Sequence, residues 1–179
     1  KESPSSHILK FELSDYRHLP TYETFTTLLA GAIGLPVVDI QLRSIADTHY
    51  ALIERYDRHL LGSGQMARLH QEDFCQIFNV PPKLKYQEDG GPGIEDCMKR
   101  MTEMHLPGFD RLRFVRLVIF NFLIGNCDAH AKNYAVLYHG GKPSLAPAYD
   151  LLSTMVYETM SKRFAMTIGS EARMGMFRK

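Results

Sequence analysis

The sequence predicts an α+β fold in two lobes, with residues 1–57 forming a small β-rich lobe and residues 58–179 a mainly helical lobe. Strand-like segments dominate the first part, and helical patterns dominate from residue 71 onward. The chain has 179 residues, of which 45% are hydrophobic, so it is long enough to bury a substantial core. Mixed segments of this kind, with strands first and helices later, are typical of α+β folds.

The elements of the N-terminal part follow from short apolar patterns and their breakers. We predict a strand over residues 7–13, a helix over 21–33, and a hairpin with strands over 37–45 and 49–56. Lys10 lies near the middle of the first strand. Glu23 is expected in the first turn of the helix, whose apolar face carries Phe25 and Leu28.

The C-terminal part is predicted to contain three helices near residues 71–79, 94–104 and 110–124. A Pro- and Gly-rich loop, PPKLKYQEDGGPG, separates the first two. The third helix is apolar on most sides, which predicts that it is buried. It ends at Gly125, directly before the polar segment NCDAHAKN.

Composition excludes several classes of protein. The formal net charge of +1 gives no electrostatic signature for nucleic acid or an anionic membrane, so neither is expected as a partner. Cys75, Cys97 and Cys127 lie far apart, which suggests neither a disulfide framework nor a zinc site and favours the cytoplasm. The longest apolar run is too short to span a bilayer.

The polar segment after the third helix carries the residue types that phosphoryl transfer requires. Asp128 and Asn133 are five positions apart, which is the spacing of a base and a metal ligand in the protein-kinase catalytic loop. Asp150 follows 17 positions later, and a hairpin could return it beside Asn133. One carboxylate and one amide oxygen are suitable ligands for Mg²⁺ together with phosphate oxygens.

Upstream residues supply the remaining parts of an ATP site. Lys10 on a strand and Glu23 on the next helix reproduce the Lys and Glu pair that holds the nucleotide phosphates in kinases. The hairpin ends at Glu54, Arg55 and Tyr56, which would then form the hinge that binds adenine through backbone groups.

Together these segments resemble the HipA-type serine/threonine kinases, which are toxins of bacterial toxin–antitoxin modules. SSHILKF resembles the lysine strand of that family, ERYDR its hinge, HQEDFCQ and GGPG its helical-lobe signatures, GNCDAHAKN its catalytic loop, and APAYDLLST its metal-binding segment. The resemblance covers nearly the whole chain. It implies a protein-kinase-like two-lobe fold and a serine/threonine protein kinase that uses ATP and Mg²⁺.

The resemblance also implies roles for individual residues and a class of partner. Asp128 would be the base, Asn133 and Asp150 would ligate Mg²⁺, and Glu23 would pair with the lysine. The implied ATP-binding residues are Lys10, Glu54, Arg55, Tyr56, His130, Lys132, Asn133, Tyr149 and Asp150. The family implies a protein substrate, with aminoacyl-tRNA synthetases as the known class, and a helix-turn-helix antitoxin as partner. The family's Gly-rich phosphate loop and N-terminal subdomain do not precede Lys1, so we expect the sequence to be a fragment.

Structural explanations compete with these functional ones. Asp128 and Asn133 are also typical of Asx turns that end a helix. Glu23 could simply stabilise its helix by interacting with the positive N-terminal end of the helix dipole, and Asp150 could cap a helix formed by LLSTMVY. Lys10 and Lys132 could be solvated, and His130 could merely orient the loop.

Three other functions remain open at this point. A small-molecule kinase of the aminoglycoside or choline type has a catalytic loop with the same Asp-x-His-x-x-Asn spacing. A non-catalytic kinase-like module would keep the fold only to bind a partner. A metal hydrolase using Asp128, His130 and Asp150 is disfavoured, because no second histidine lies at a suitable spacing.

Overall fold

The helices and strands are those of a computed structural model that describes residues 4–62, 64–169 and 171–173. The strands are β1 (His7–Phe11), β2 (Ile40–Ile45), β3 (Thr48–Glu54), β4 (Arg58–Leu60), β5 (Met66–Arg68), β6 (His70–Asp73), β7 (Ala135–His139), β8 (Lys142–Leu145), β9 (Arg163–Ile168) and β10 (Glu171–Arg173). The α-helices are α1 (Leu19–Ala32), α2 (Phe74–Ile77), α3 (Ile94–Glu103) and α4 (Gly108–Leu123). Short 3-10 helices cover Pro82–Leu84, Gln87–Asp89, Ala131–Asn133 and Thr154–Val156.

An antiparallel sheet with β3 between β1 and β2 forms the N-terminal part, and the predicted strand and hairpin are confirmed. Lys10 of β1 lies opposite Ala51 of β3, whose side chain is fully buried. Alternate residues of β3 point inward, so Ala51 and Ile53 join Val38 and Ile40 in a small apolar cluster. Tyr56 and Tyr149 pack against this cluster.

Helix α1 is confirmed, but it turns an unexpected side toward the protein. Its buried residues are mostly polar and include Glu23, whereas Phe25 and Leu28 of the predicted apolar face are 64% and 57% exposed. The buried Thr24 hydroxyl on this helix donates to the Pro20 carbonyl at 2.7 Å, whereas the buried Thr27 hydroxyl has no hydrogen-bond partner among the described residues. Because α1 begins at Leu19, Glu23 lies beyond the first turn, and both the predicted position and the helix-dipole explanation are wrong.

The larger hydrophobic core lies among α2, α3, α4 and the sheet β6-β7-β8. Aromatic rings form its centre, with Phe114 of α4 at 5.9 Å from Phe74 and 5.0 Å from Tyr134 between ring centroids. Ala30 and Leu35 from the N-terminal part also belong to this core. Residues 1–57 therefore contribute to both clusters, and the lobe boundary at residues 57 and 58 stays a prediction.

The predicted helices of the C-terminal part are only partly correct. Those near 94–104 and 110–124 are confirmed as α3 and α4. The predicted helix near 71–79 is wrong, because β6 pairs with β7 up to Asp73 and only one helical turn follows. Asp73 caps that turn by accepting from the Gln76 N–H at 2.9 Å, and this cap fixes where the strand ends.

Two further expectations about α4 and the segment behind Asp150 also need correction. Helix α4 is not buried all round, since Ile119 and Leu123 are 50% and 71% exposed. LLSTMVY forms only the short 3-10 helix over Thr154–Val156, so Asp150 does not cap an α-helix there. No helix in the described part of the chain is long and apolar enough to cross a membrane.

Candidate active site

Three neighbouring cavities lie along the cleft between the N-terminal sheet and the loops that follow α4. The hinge cavity, of about 290 Å³, is bounded by β1, the end of β3, Gln71, Asp73 and Tyr149. The central cavity, of about 270 Å³, shares Lys10 and Asp150 with it and adds Glu23, Asp128 and Asn133. The outer groove, of about 480 Å³, shares Asp128 and Thr154 with the central cavity. The three cavities therefore follow one another in series.

The hinge cavity has aromatic walls held by hydrogen bonds. The rings of Tyr56 and Tyr149 are stacked with their centroids 6.0 Å apart. The Tyr56 hydroxyl donates to the side-chain carbonyl of Gln71, and the Tyr149 hydroxyl donates to the Lys132 carbonyl at 2.8 Å. Burial raises the pKa of both tyrosines, so both are neutral donors at physiological pH.

The chain segment at the end of β3 is fixed by a buried carboxylate. Asp57 accepts from Arg55 at 2.8 Å and from Arg58 at 2.5 Å. Burial alone would raise the pKa of Asp57, but these two guanidinium groups outweigh it and hold the pKa below its usual value. The Arg55 backbone N–H donates to the Ser6 carbonyl at 2.9 Å, which ties this segment to the residue before β1.

A three-member charge cluster joins the hinge and central cavities. The Lys10 ammonium lies 2.7 Å from Glu23 Oε1 and also contacts Asp150 Oδ1. Burial lowers the pKa of Lys10, but attraction to Glu23 and Asp150 outweighs it and the net shift is upward. Lys10 is therefore a charged ammonium at neutral pH, held at the junction of the two cavities.

The loop after α4 is organised by Asn126, which sequence reasoning missed. Gly125 permits the turn, since its φ of 69° is a conformation that favours glycine. The Asn126 amide nitrogen donates to Asn121 Oδ1 at 2.9 Å and to the Asp150 carbonyl at 3.3 Å, and its oxygen accepts from the Asp128 N–H at 3.2 Å. Asn126 thus links the backbones of two predicted site residues. The only signal in the sequence was a polar residue directly after a glycine turn.

Asp128 lies where the central cavity meets the outer groove. Its Oδ1 atom accepts from the Tyr86 hydroxyl at 2.5 Å, and it lies 3.9 Å from both Lys85 Nζ and His130 Nε2. His130 is buried, which lowers its pKa although the nearby Asp128 opposes the shift, so the imidazole is neutral at physiological pH. His130 Nδ1 is buried without a hydrogen-bond partner among the described residues.

Asn133 and Asp150 lie side by side, as the spacing predicts, because β7 and β8 form the hairpin between them. The Asn133 amide nitrogen is 3.2 Å from Asp150 Oδ2, and Asn133 Oδ1 accepts from the His130 N–H at 3.1 Å. Asp150 adopts a φ of 54°, a strained conformation for a non-glycine residue, which Asx side chains tolerate better than most.

This donor set fits Mg²⁺ better than a metal held entirely by protein. Among the described residues, no group of three or more His, Cys, Asp or Glu could hold a metal ion. One carboxylate from Asp150 and one amide oxygen from Asn133 match the sparse oxygen coordination that Mg²⁺ accepts when phosphates and waters complete its shell.

Two predicted nucleotide-binding residues line none of the three cavities. Lys132 instead donates to Asp73 Oδ2 at 3.1 Å, and His130 packs behind Asp128. Glu54 and Arg55 do line the hinge cavity, as do Tyr56 and Tyr149. Gln71 and Tyr86 line cavities as well but were not predicted as site residues; Gln71 lies in HQEDFCQ, which resembles a family signature, and Tyr86 lies in the predicted Pro- and Gly-rich loop.

The chain is similar to known kinases in sequence and in structure. A family model for the HipA-like C-terminal domain matches residues 1–178. A putative kinase, Y4mE, of Sinorhizobium fredii is 42% identical over 166 residues, which cover 92% of this chain and 40% of that protein. The serine/threonine-protein kinase toxin HipA of Shewanella oneidensis is 30% identical over 179 residues, which cover 93% of this chain and 41% of that protein.

Solved structures show the same similarity. The Shewanella oneidensis toxin–antitoxin complex of HipA, HipB and operator DNA matches with a TM-score of 0.88 and 28% identity, over 96% of this chain and 42% of that one. The Helicobacter pylori proinflammatory kinase CtkA matches with a TM-score of 0.63 and 17% identity, over 83% of this chain and 52% of that one, which shows a shared fold. The chain spans about two fifths of the length of the curated relatives named above. By family match, sequence identity and fold, this chain belongs to the HipA-like C-terminal domain family.

Proposed function

We propose that this chain is the nucleotide-binding and phosphoryl-transfer portion of a cytoplasmic serine/threonine protein kinase. The observation that carries the proposal is the central cavity, where Lys10, Glu23, Asp128, Asn133 and Asp150 meet from segments far apart in sequence. These are the residue types that kinases use for phosphate binding, metal binding and proton transfer. Relatives named as kinases support the reaction class.

The hinge cavity is the proposed site for the adenosine part of ATP. Val38 and Ile53 supply apolar walls, and the stacked rings of Tyr56 and Tyr149 line the same cavity. Pockets of this kind, mostly apolar with a few convergent polar groups, are typical of small-ligand sites. We propose that residues 1–57 and 58–179 form the two lobes on either side of this cleft.

The central cavity is the proposed site of the phosphates. Lys10 would contact the phosphate oxygens as a fixed point charge, because Glu23 and Asp150 hold its ammonium at the junction. Asn133 and Asp150 would hold Mg²⁺, which supplies neutralisation of phosphate charge when bound. His130 donates its backbone N–H to Asn133 and so orients this ligand rather than touching nucleotide.

Asp128 is the proposed general base. The acceptor hydroxyl approaches it from the outer groove, on the side away from the hinge cavity. The hydroxyl oxygen forms a bond to the γ-phosphorus, the bond from that phosphorus to the β,γ-bridging oxygen breaks, and ADP leaves. The proton of the hydroxyl passes to the Asp128 carboxylate.

The biological setting is proposed from the relatives. The solved Shewanella oneidensis assembly contains HipA with HipB and its operator DNA. We propose that the protein is likewise the toxin of a type II module with a helix-turn-helix antitoxin as partner, and that its substrate is a protein such as an aminoacyl-tRNA synthetase. Co-purification of the natural-length protein with the product of a neighbouring antitoxin gene tests the partner.

Transfer of labelled phosphate from ATP tests the reaction. The protein at its full natural length, with Mg²⁺, is incubated with candidate proteins and with small alcohols, and the modified residue is identified by mass spectrometry. We expect phosphoserine or phosphothreonine on a protein, formed much more slowly by Asp128→Asn and at the wild-type rate by the control Asp47→Asn in the exposed turn between β2 and β3. Transfer only to small alcohols would show that the substrate is a small molecule and not a protein. If calorimetric titration detects no ATP binding, the protein is a non-catalytic kinase-like module instead.

A further inference from the structure

One hydrogen bond to the proposed base comes from a segment with no role in the mechanism above. The Tyr86 hydroxyl donates to Asp128 Oδ1 at 2.5 Å across 42 residues of sequence. Lys85 and His130 approach the same oxygen at 3.9 Å. Among the described residues, no side chain forms a hydrogen bond or ion pair with the other carboxylate oxygen, Oδ2.

The Tyr86 ring is itself held on two sides. Its centroid lies 5.5 Å from that of the His130 imidazole in an edge-to-face arrangement, at an interplanar angle of 74°. The Lys85 ammonium lies 4.9 Å from the same ring centroid. Burial and the bond to Asp128 raise the pKa of Tyr86, so the hydroxyl keeps its proton and acts as a donor.

The backbone around Tyr86 is folded tightly and tied to β9. The Tyr86 carbonyl accepts from the N–H groups of Asp89 at 3.1 Å and Gly91 at 2.9 Å. A side chain at residue 91 would not fit, because a Cβ there would lie 2.4 Å from the Leu84 carbonyl oxygen. Gln87 Oε1 accepts from the Thr167 N–H at 2.8 Å. The hydroxyl is therefore presented by a fixed segment.

A carboxylate that is half exposed, as the Asp128 side chain is at 50%, can rotate freely unless one oxygen is held. A general base must keep a lone pair within hydrogen-bond reach of the proton that it accepts. We propose that Tyr86 is a positioning residue, which anchors Asp128 by Oδ1 and leaves Oδ2 free for the acceptor hydroxyl. The proposal rests on the proposed phosphoryl transfer and adds a residue to it.

The test is Tyr86→Phe in the natural-length protein, which removes only the hydroxyl. We expect kcat to fall about tenfold, because a misplaced base loses part of the advantage of orientation, while KM for ATP stays within about twofold. Tyr138→Phe is the matched control. It removes a similar tyrosine to carboxylate bond, to Glu72 at 2.8 Å, on a side chain that lines none of the three cavities.

The outcomes separate the possible roles of the hydroxyl. Unchanged kcat in Tyr86→Phe would overturn the proposal, and so would increased kcat, since the hydroxyl would then block the base instead of positioning it. An equal loss of kcat in Tyr138→Phe would show that the loss in Tyr86→Phe comes from general destabilisation, and this would also overturn the proposal. If the wild-type protein transfers no phosphate at all, the proposed function fails and the contact itself is tested by stability.

That second measurement uses melting temperatures of Tyr86→Phe, Asp128→Ala and the double variant. A direct contact makes the loss in the double variant smaller than the sum of the single losses, here by about 2 °C or more. Strictly additive losses would show that the hydroxyl does not hold the carboxylate and would end the proposal without any assay of activity.

Discussion

Replacing Lys10 by methionine tests whether the ion pair with Lys10 is what stabilises the buried Glu23 carboxylate. The Glu23 side chain is only 4% exposed, and its Oε1 lies 2.7 Å from the Lys10 ammonium. Methionine keeps much of the apolar stem of lysine but carries no charge. The substitution therefore leaves the Glu23 carboxylate buried without its cation.

The expected loss of stability follows from that burial. Removing one member of a buried ion pair usually destabilises a protein by about 3–5 kcal/mol. Two features favour the lower end here. The Lys10 side chain is 30% exposed, so water reaches the pair. Burial already raises the pKa of Glu23, with Lys10 opposing the shift, so the carboxylate can take up a proton in the variant. We expect about 3 kcal/mol at pH 8.

The loss should depend on pH in a defined direction. Without Lys10, the pKa of Glu23 in the folded protein rises further above its unfolded value. A raised folded pKa means that stability is fully present below the unfolded pKa and is lost as pH rises through the folded pKa. The difference in free energy of unfolding between the variant and the wild type should therefore be small near pH 5 and grow toward pH 8.

Urea unfolding of the natural-length protein measures this effect. With a slope of about 2 kcal/mol per molar urea, the midpoint should fall by roughly 1 to 2 M at pH 8. Adding Glu23→Gln should restore part of the loss, because it removes the unpaired charge. Lys142→Met on the exposed start of β8 is the control. A Lys10→Met loss below about 1 kcal/mol, or one that is the same at pH 5 and pH 8, would refute the reasoning.

Three other substitutions test separate parts of the structure. Asp128→Asn should lower turnover by about 10²- to 10⁴-fold in a phosphate-transfer assay while nucleotide affinity is kept, and wild-type turnover would rule out the base. Asp150→Asn should weaken Mg²⁺-dependent nucleotide binding at least about tenfold by calorimetry, and unchanged affinity would remove it as a ligand. Asp110 is 4% exposed and accepts a hydrogen bond from the Leu145 N–H at 3.0 Å. Asp110→Ala leaves that N–H unpaired, so the free energy of unfolding measured in urea should fall by about 2–3 kcal/mol. A decrease under about 0.5 kcal/mol would contradict this account.

Local patterns were sufficient wherever neighbouring residues decide the structure. The strand with Lys10, helices α1, α3 and α4, and the hairpin that ends at Glu54 follow from periodicity and breakers. The meeting of Asn133 and Asp150 was also predictable, because a hairpin of the right length returns the chain to its start. The roles assigned to these two residues remain predictions.

Tertiary contacts overrode local pattern at α1 and β6. The pattern placed Phe25 and Leu28 on the face of α1 expected to be buried, yet Glu23 lies inside because Lys10 from β1 provides its counter-charge. Residues 71–73 were predicted as helix, but pairing with β7, more than 60 positions away, makes them part of a strand. Neither partner is visible within a local window of sequence.

By itself, the sequence determined the family, most of the elements and the order of the proposed functional residues, because each of these depends on residue type and short spacing. Only the tertiary structure decided that Tyr86 reaches Asp128, that Asn126 links the loop to Asp150, and that Lys132 pairs with Asp73 rather than lining the cleft. The physical reason is that hydrogen bonds and ion pairs between distant segments depend on how the core packs those segments, and no local spacing encodes that packing.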